Sequence, residues 1–197
     1  MDSKRIICER LLRHQQVIGA LLADEAVQQA IADTAGALEA CFRRGNKVYF
    51  CGNGGSAADA QHLAAEFSGK FYLDRAVLPS EALHCNTSYL TAVGNDYSFD
   101  IIYSRLISGA GAAGDVLVGL STSGNSRNIV EAFKTCREKG IVTVGLTGAS
   151  GGRMAPLSDY LVAIPDTDTP RIQEAHITVG HIICEMVESS IFGNFDR

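Results

Sequence analysis

The chain has 197 residues, a net charge of -5, 46% hydrophobic residues and 20% charged ones. Those values suit one α/β domain with a buried core. They exclude the basic footprint of a nucleic-acid binder, and no apolar run is long enough to span a bilayer.

Taken in chain order, the first stretch from about Lys4 to Arg44 is expected to be helical. Ile6, Ile7, Leu11, Leu12, Ile18, Leu21 and Leu22 recur at helical spacing. The charged Glu9, Arg10, Arg13 and His14 break any secretory signal pattern, so the expected location is the cytoplasm. Six scattered cysteines without a CxxC pair agree with reduced, mostly buried thiols. Asp24 is placed to cap a second helix carrying Val27, Ile31, Ala35, Leu38 and Phe42, which stops at Gly45. This pair has no βαβ partner of its own. It packs back on the domain or pairs with another subunit, and pairing between subunits is the favoured expectation.

Strands and helices then alternate. Strands are predicted at Lys47–Cys51, Leu78–His84, Val116–Leu120, Ile141–Leu146 and Tyr160–Ile164. Helices are predicted over Ser56–Gly69, Ser88–Val93, Tyr97–Ser108, Ser126–Lys139 and Arg171–Ile191. This alternation implies an α/β fold with a mostly parallel sheet and helices on both faces. No linker or repeat divides residues 1–197, so a single domain is expected.

Two loops follow strands and open helices: Gly52-Asn53-Gly54-Gly55-Ser56 and Ser121-Thr122-Ser123-Gly124-Asn125-Ser126. Helix N-termini attract anions, and the hydroxyls of Ser121, Thr122, Ser123 and Ser126 can donate to phosphate oxygens. Neither loop has the Walker lysine or the GxGxxG spacing, so the pattern points to a small phosphomonoester rather than a nucleotide. Capping alone explains one hydroxyl, not four.

The second loop after an apolar strand resembles the signature of SIS domains, which bind phosphorylated sugars. The ordered set of Cys51-Gly52-Asn53-Gly54-Gly55-Ser56, Val93-Gly94-Asn95-Asp96, the second loop, Leu146-Thr147-Gly148 and Arg171-Ile172-Gln173-Glu174-Ala175-His176 is similar to the phosphoheptose isomerases within that family. The resemblance implies an SIS-type three-layer fold. It also implies a homotetramer whose active sites lie at subunit interfaces and whose N-terminal helices, residues 1–44, serve oligomerisation.

His62 and Glu66 stand four residues apart on the helix opened by the first loop, a spacing that lets both meet one cation. The resemblance implies a zinc site of His62, Glu66, Gln173 and His181. Eight helical residues separate Gln173 from His181 by roughly 12 Å and about 80°. Joint ligation therefore needs side chains leaning together, an irregular helix start near Pro170, or contributions from two subunits. The resemblance further implies conversion of sedoheptulose 7-phosphate to D-glycero-D-manno-heptose 7-phosphate through an enediolate, in heptose synthesis for lipopolysaccharide core precursors. Glu66 is then the candidate base and His181 the candidate acid, with Asn53, Gly54, Gly55, Ser56, Asn95, Asp96 and Gln173 as substrate contacts alongside the second loop. A local turn after Gly94 explains Asn95-Asp96 nearly as well. Pro170 stands where some family members carry an acidic residue, so no catalytic part is carried over there. His176 and His14 have no matched role, and His176 is read as structural or as a support behind the site's ligands. The rival reading is a non-enzymatic adaptor resembling the DnaA initiator-associating protein, which shares the first imidazole but lacks the equivalents of Glu66 and His181. A third is an isomerase for another phosphosugar.

Overall fold

Val48-Tyr49-Phe50-Cys51-Gly52 form strand β1, and every residue of it is buried. A strand buried on both faces reads as a continuous apolar run rather than an alternation, which is how β1 and β3 (Val116–Ser121) are written. The computed structural model describes residues 2–193. Five strands, β1, β2 (Ser80–Ala82), β3, β4 (Val142–Gly148) and β5 (Tyr160–Ile164), pair in parallel in the order β2-β1-β3-β4-β5. The strand predicted over 78–84 is thus only three residues long. The chain leaves β1 towards β2 and returns on its other side as β3, so the β1–β3 boundary is the switch point where open α/β sheets bind ligands.

The pleat sorts side chains into two cores. Val48, Phe50, Val116, Val118 and Leu120 face a core shared with α1 (Ser3–Ala23), α2 (Glu25–Arg43), α3 (Gly55–Ser68) and α7 (Thr169–Phe192). Tyr49, Cys51 and Leu117 face the other, filled by α4 (Thr87–Asp96), α5 (Ile102–Ala110) and α6 (Arg127–Lys139). The result is the expected three-layer α/β/α arrangement. The stretch predicted as one helix over 97–108 divides into a 3-10 turn, Phe99–Ile101, followed by α5.

Asp24 caps α2 as expected, its Oδ1 accepting from the N–H groups of Ala26 and Val27. The two leading helices differ in how they pack, and for α2 the structure takes the less favoured alternative of packing back on its own domain. Ile31, Ala35, Leu38, Cys41 and Phe42 bury α2 in the first core, so α2 is an integral layer. Only Val17 and Leu21 of α1 are buried, while Ile7, Leu11, Leu12 and Leu22 remain exposed.

Candidate active site

The Ser121–Ser126 turn joins β3 to α6. Ser126 is the N-cap of α6, yet its hydroxyl caps nothing. It lies instead 2.9 Å from the Ser121 hydroxyl, across the mouth of the turn. Capping therefore does not account for these serines, and the helix N-terminus stays available for an anion. The turn is braced by the end of β4 and the stretch after it. Gly148 N–H donates to the Thr122 carbonyl at 3.0 Å, Met154 N–H to the Gly124 carbonyl at 3.0 Å, and Arg153 N–H to Asn125 Oδ1 at 3.1 Å. Gly124 has φ +65 and abuts the Gly151 carbonyl where a Cβ would stand, so only glycine fits.

The first loop is tied to the second by an amide pair. Asn53 Nδ2 donates to Asn128 Oδ1 at 2.9 Å, and Asn128 Nδ2 donates to Asn53 Oδ1 at 2.8 Å. Asn128 is buried in the first turn of α6. Asn53, expected as a sugar contact, thus spends half its amide hydrogen-bonding capacity on joining the cradles. The Tyr103 hydroxyl, buried in the second core, donates to the Gly52 carbonyl and anchors the end of β1. Sequence reasoning passed over Asn128 and Tyr103. A third amide so close behind the hydroxyl-rich loop was the available signal for Asn128.

Helices α3 and α7 run side by side in the same direction. Gln173 lies against Gly55, Gly180 against Leu63 and His181 against His62, so their numbers rise together. His62 Nε2 is 2.9 Å from His181 Nε2 and 3.2 Å from Glu66 Oε1, and one ligand atom from each of the three lies within 4.8 Å of the others. Zinc bonded at about 2.0–2.1 Å in a tetrahedron spaces its donors by about 3.3 Å. Two imidazole nitrogens and one carboxylate oxygen at these separations fit such an ion, and they come from one chain.

Gln173 does not join that trio. It lies inside regular helix, since α7 already begins at Thr169 with Pro170 in its first turn, which removes the irregular start as an explanation. Its amide packs on Gly55, with Nε2 3.4 Å from the Ser56 hydroxyl. It therefore faces the first loop, two helical turns from His181. From Ser56 to His62 the rise along α3 is roughly 9 Å, about the length of an extended seven-carbon chain.

Asn95 and Asp96 end α4, which corrects the alternative of a turn after Gly94. Both are exposed, and Asn95 Nδ2 donates to Asp96 Oδ1 at 2.9 Å, so within one chain they pair with each other. Asp166 is buried, its Oδ1 accepting from the N–H groups of Thr167 and Asp168 and its Oδ2 pairing with Arg13 of α1 at 2.9 Å. His14 pairs with Glu174 at 2.8 Å. His176 is fully buried, with Nε2 3.1 Å from the Thr147 carbonyl. Burial pushes its pKa down to about 4, partly offset by that bond, so it is neutral and structural, as read from the sequence.

Among the described residues no helix is long and apolar enough to cross a membrane. Residues 14–148 match the family model for the SIS domain. The phosphoheptose isomerase of Aneurinibacillus thermoaerophilus is 54% identical over 175 residues, covering 89% of this chain and 88% of the relative. That of Rhodospirillum rubrum is 58% identical over 162 residues, 82% of this chain and 86% of the relative. The structure of phosphoheptose isomerase from Neisseria gonorrhoeae superposes with a TM-score of 0.88 at 39% identity, covering 94% of this chain and 98% of that one. With a braced, hydroxyl-rich turn at the sheet's switch point and a carboxylate–imidazole cluster along the adjoining helices, the chain belongs to the phosphoheptose isomerase family of SIS-domain proteins.

Proposed function

We propose that this sugar-phosphate isomerase converts sedoheptulose 7-phosphate to D-glycero-D-manno-heptose 7-phosphate, with Glu66 and His181 moving the protons. The single observation carrying this reading is the convergence of His62, Glu66 and His181 beside a seam that leads to the first loop. The Ser121–Ser126 turn and the α6 N-terminus bind the phosphate. Gln173 and Ser56 donate to sugar hydroxyls along the chain, and Asn95 and Asp96 take substrate hydroxyls in the assembled protein.

One Glu66 oxygen accepts the C1 proton of the open-chain ketose. The electron pair of that C–H bond forms the C1–C2 double bond, and the carbonyl π electrons move onto the C2 oxygen to give the enediolate. His181 then carries the C1 hydroxyl proton to the C2 oxygen as the C1 carbonyl forms and C2 takes its proton back from Glu66. Zinc held by His62, Glu66 and His181 would polarise the carbonyl and stabilise the negative oxygen. Gln173, two turns from His181 with its amide beside Ser56, is left to the sugar.

The protein acts in the cytoplasm as a homotetramer in this reading. The exposed Ile7, Leu11, Leu12 and Leu22 of α1 support association, and light scattering measures it. The deciding assay is turnover of sedoheptulose 7-phosphate by the purified chain, with and without a chelator. Turnover that chelation abolishes and zinc restores is the expected result. No turnover in zinc-loaded protein, with other phosphosugars also inert, returns the adaptor reading.

A further inference from the structure

Among the described residues, Arg75 and Glu188 form the one ion pair with both side chains buried, 3% and 0% exposed, with Nε 2.8 Å from Oε1. Neither belongs to any motif of the site. Glu188 accepts the N–H groups of Phe71 at 3.1 Å, Tyr72 at 2.7 Å and Leu73 at 3.0 Å, fixing the segment after α3. Arg75 donates to the carbonyls of Glu66 at 2.9 Å, Phe67 at 2.8 Å and Ala76 at 3.0 Å. It thereby closes the last turn of α3, where carbonyls lack helical partners and the dipole favours a cation.

A buried ion pair adds little stability over apolar residues of the same volume, so what it contributes is the arrangement it holds. Here that arrangement includes both proton-moving residues. Arg75 grips the backbone of Glu66 itself. Glu188 sits on α7 two turns beyond His181, and the segment it binds sets the Phe71 ring 5.6 Å from the His181 ring, centroid to centroid. We propose that the Arg75–Glu188 pair is the positioning element that holds Glu66 and His181 at their working separation. This rests on the assignment of those two residues to proton transfer.

The test compares Arg75→Lys, Glu188→Gln and Phe71→Leu with the wild-type enzyme in sedoheptulose 7-phosphate turnover, below each variant's thermal transition. The expected result is a kcat lowered about tenfold or more with KM within about twofold, because the phosphate grip is built from other residues. A folded variant with wild-type kcat overturns the proposal, as does a loss of kcat that only tracks the unfolded fraction. If the two ion-pair variants do not fold, Glu188→Asp, which keeps both charges but shortens the reach to the Phe71–Leu73 backbone, decides by the same criteria. Glu66→Gln and His181→Asn separate the two claims. If they abolish turnover while the positioning variants do not, this proposal alone falls. If they remain active, the catalytic assignment falls with it.

Discussion

Gly180 of α7 packs so closely on Leu63 of α3 that a Cβ at position 180 would lie 2.5 Å from Leu63 Cδ2. Leu63 is a fully buried core residue, so it has little room to retreat. Position 180 precedes His181 and position 63 follows His62, so this contact sets the spacing of the two imidazoles. Gly180→Ala should cost about 1–3 kcal/mol of stability by overpacking and weaken the proposed zinc site as the helices part. Thermal unfolding and chelator competition measure the two effects separately.

The serine pair across the second turn has a different signature. Ser121→Ala with Ser126→Ala removes two hydroxyls that cap nothing, so the fold should hold. Hydrogen bonds to a charged partner contribute about 1.5–3 kcal/mol each, and KM for the sugar phosphate should rise about tenfold or more. A KM at the wild-type value would remove the turn from phosphate binding.

His176 makes stability depend on pH. Its pKa is about 4 in the fold against 6.5 for the free side chain. The unfolded chain therefore takes up a proton first, and stability falls as pH drops from 6.5 towards about 4. The full contribution is of order 3 kcal/mol. His176→Asn should flatten the loss of the unfolding midpoint between pH 7 and pH 5, and an unchanged slope would contradict a neutral buried imidazole.

Asn53 and Asn128 should act as one unit. Either alanine variant leaves the other amide without its partner, so Asn53→Ala, Asn128→Ala and the double variant should raise KM by similar factors. Multiplying factors in the double variant would mean that each residue contributes independently.

The sheet and most of its helices were legible because both surfaces of β1 and β3 are buried, and unbroken apolar runs between glycine loops leave few alternatives. Gly140 ends α6 in a left-handed conformation, as a terminal glycine should. The three residues of β2 were harder, since Leu78 and Leu83 are buried beyond its ends and lengthen the apolar signal. The two loops, His62 and Glu66 were readable from spacing within single elements. The meeting of His181 with His62 came only from the family resemblance, because the register between α3 and α7 is set by a glycine in one and a leucine in the other. Arg75 and Glu188 were invisible for the same reason. They lie 113 residues apart in sequence, and each alone reads as an ordinary surface charge.

Because α3 and α7 run parallel from a common end at the first loop, the proposed site carries its own ruler. Distance from that loop is graduated in helical turns, and the proposed acid and base occupy one mark. A phosphosugar with fewer carbons leaves its carbonyl short of that mark although its phosphate is seated. Moving the imidazole–carboxylate set by one turn along both helices would retune the enzyme to another chain length without altering how it recognises the anion.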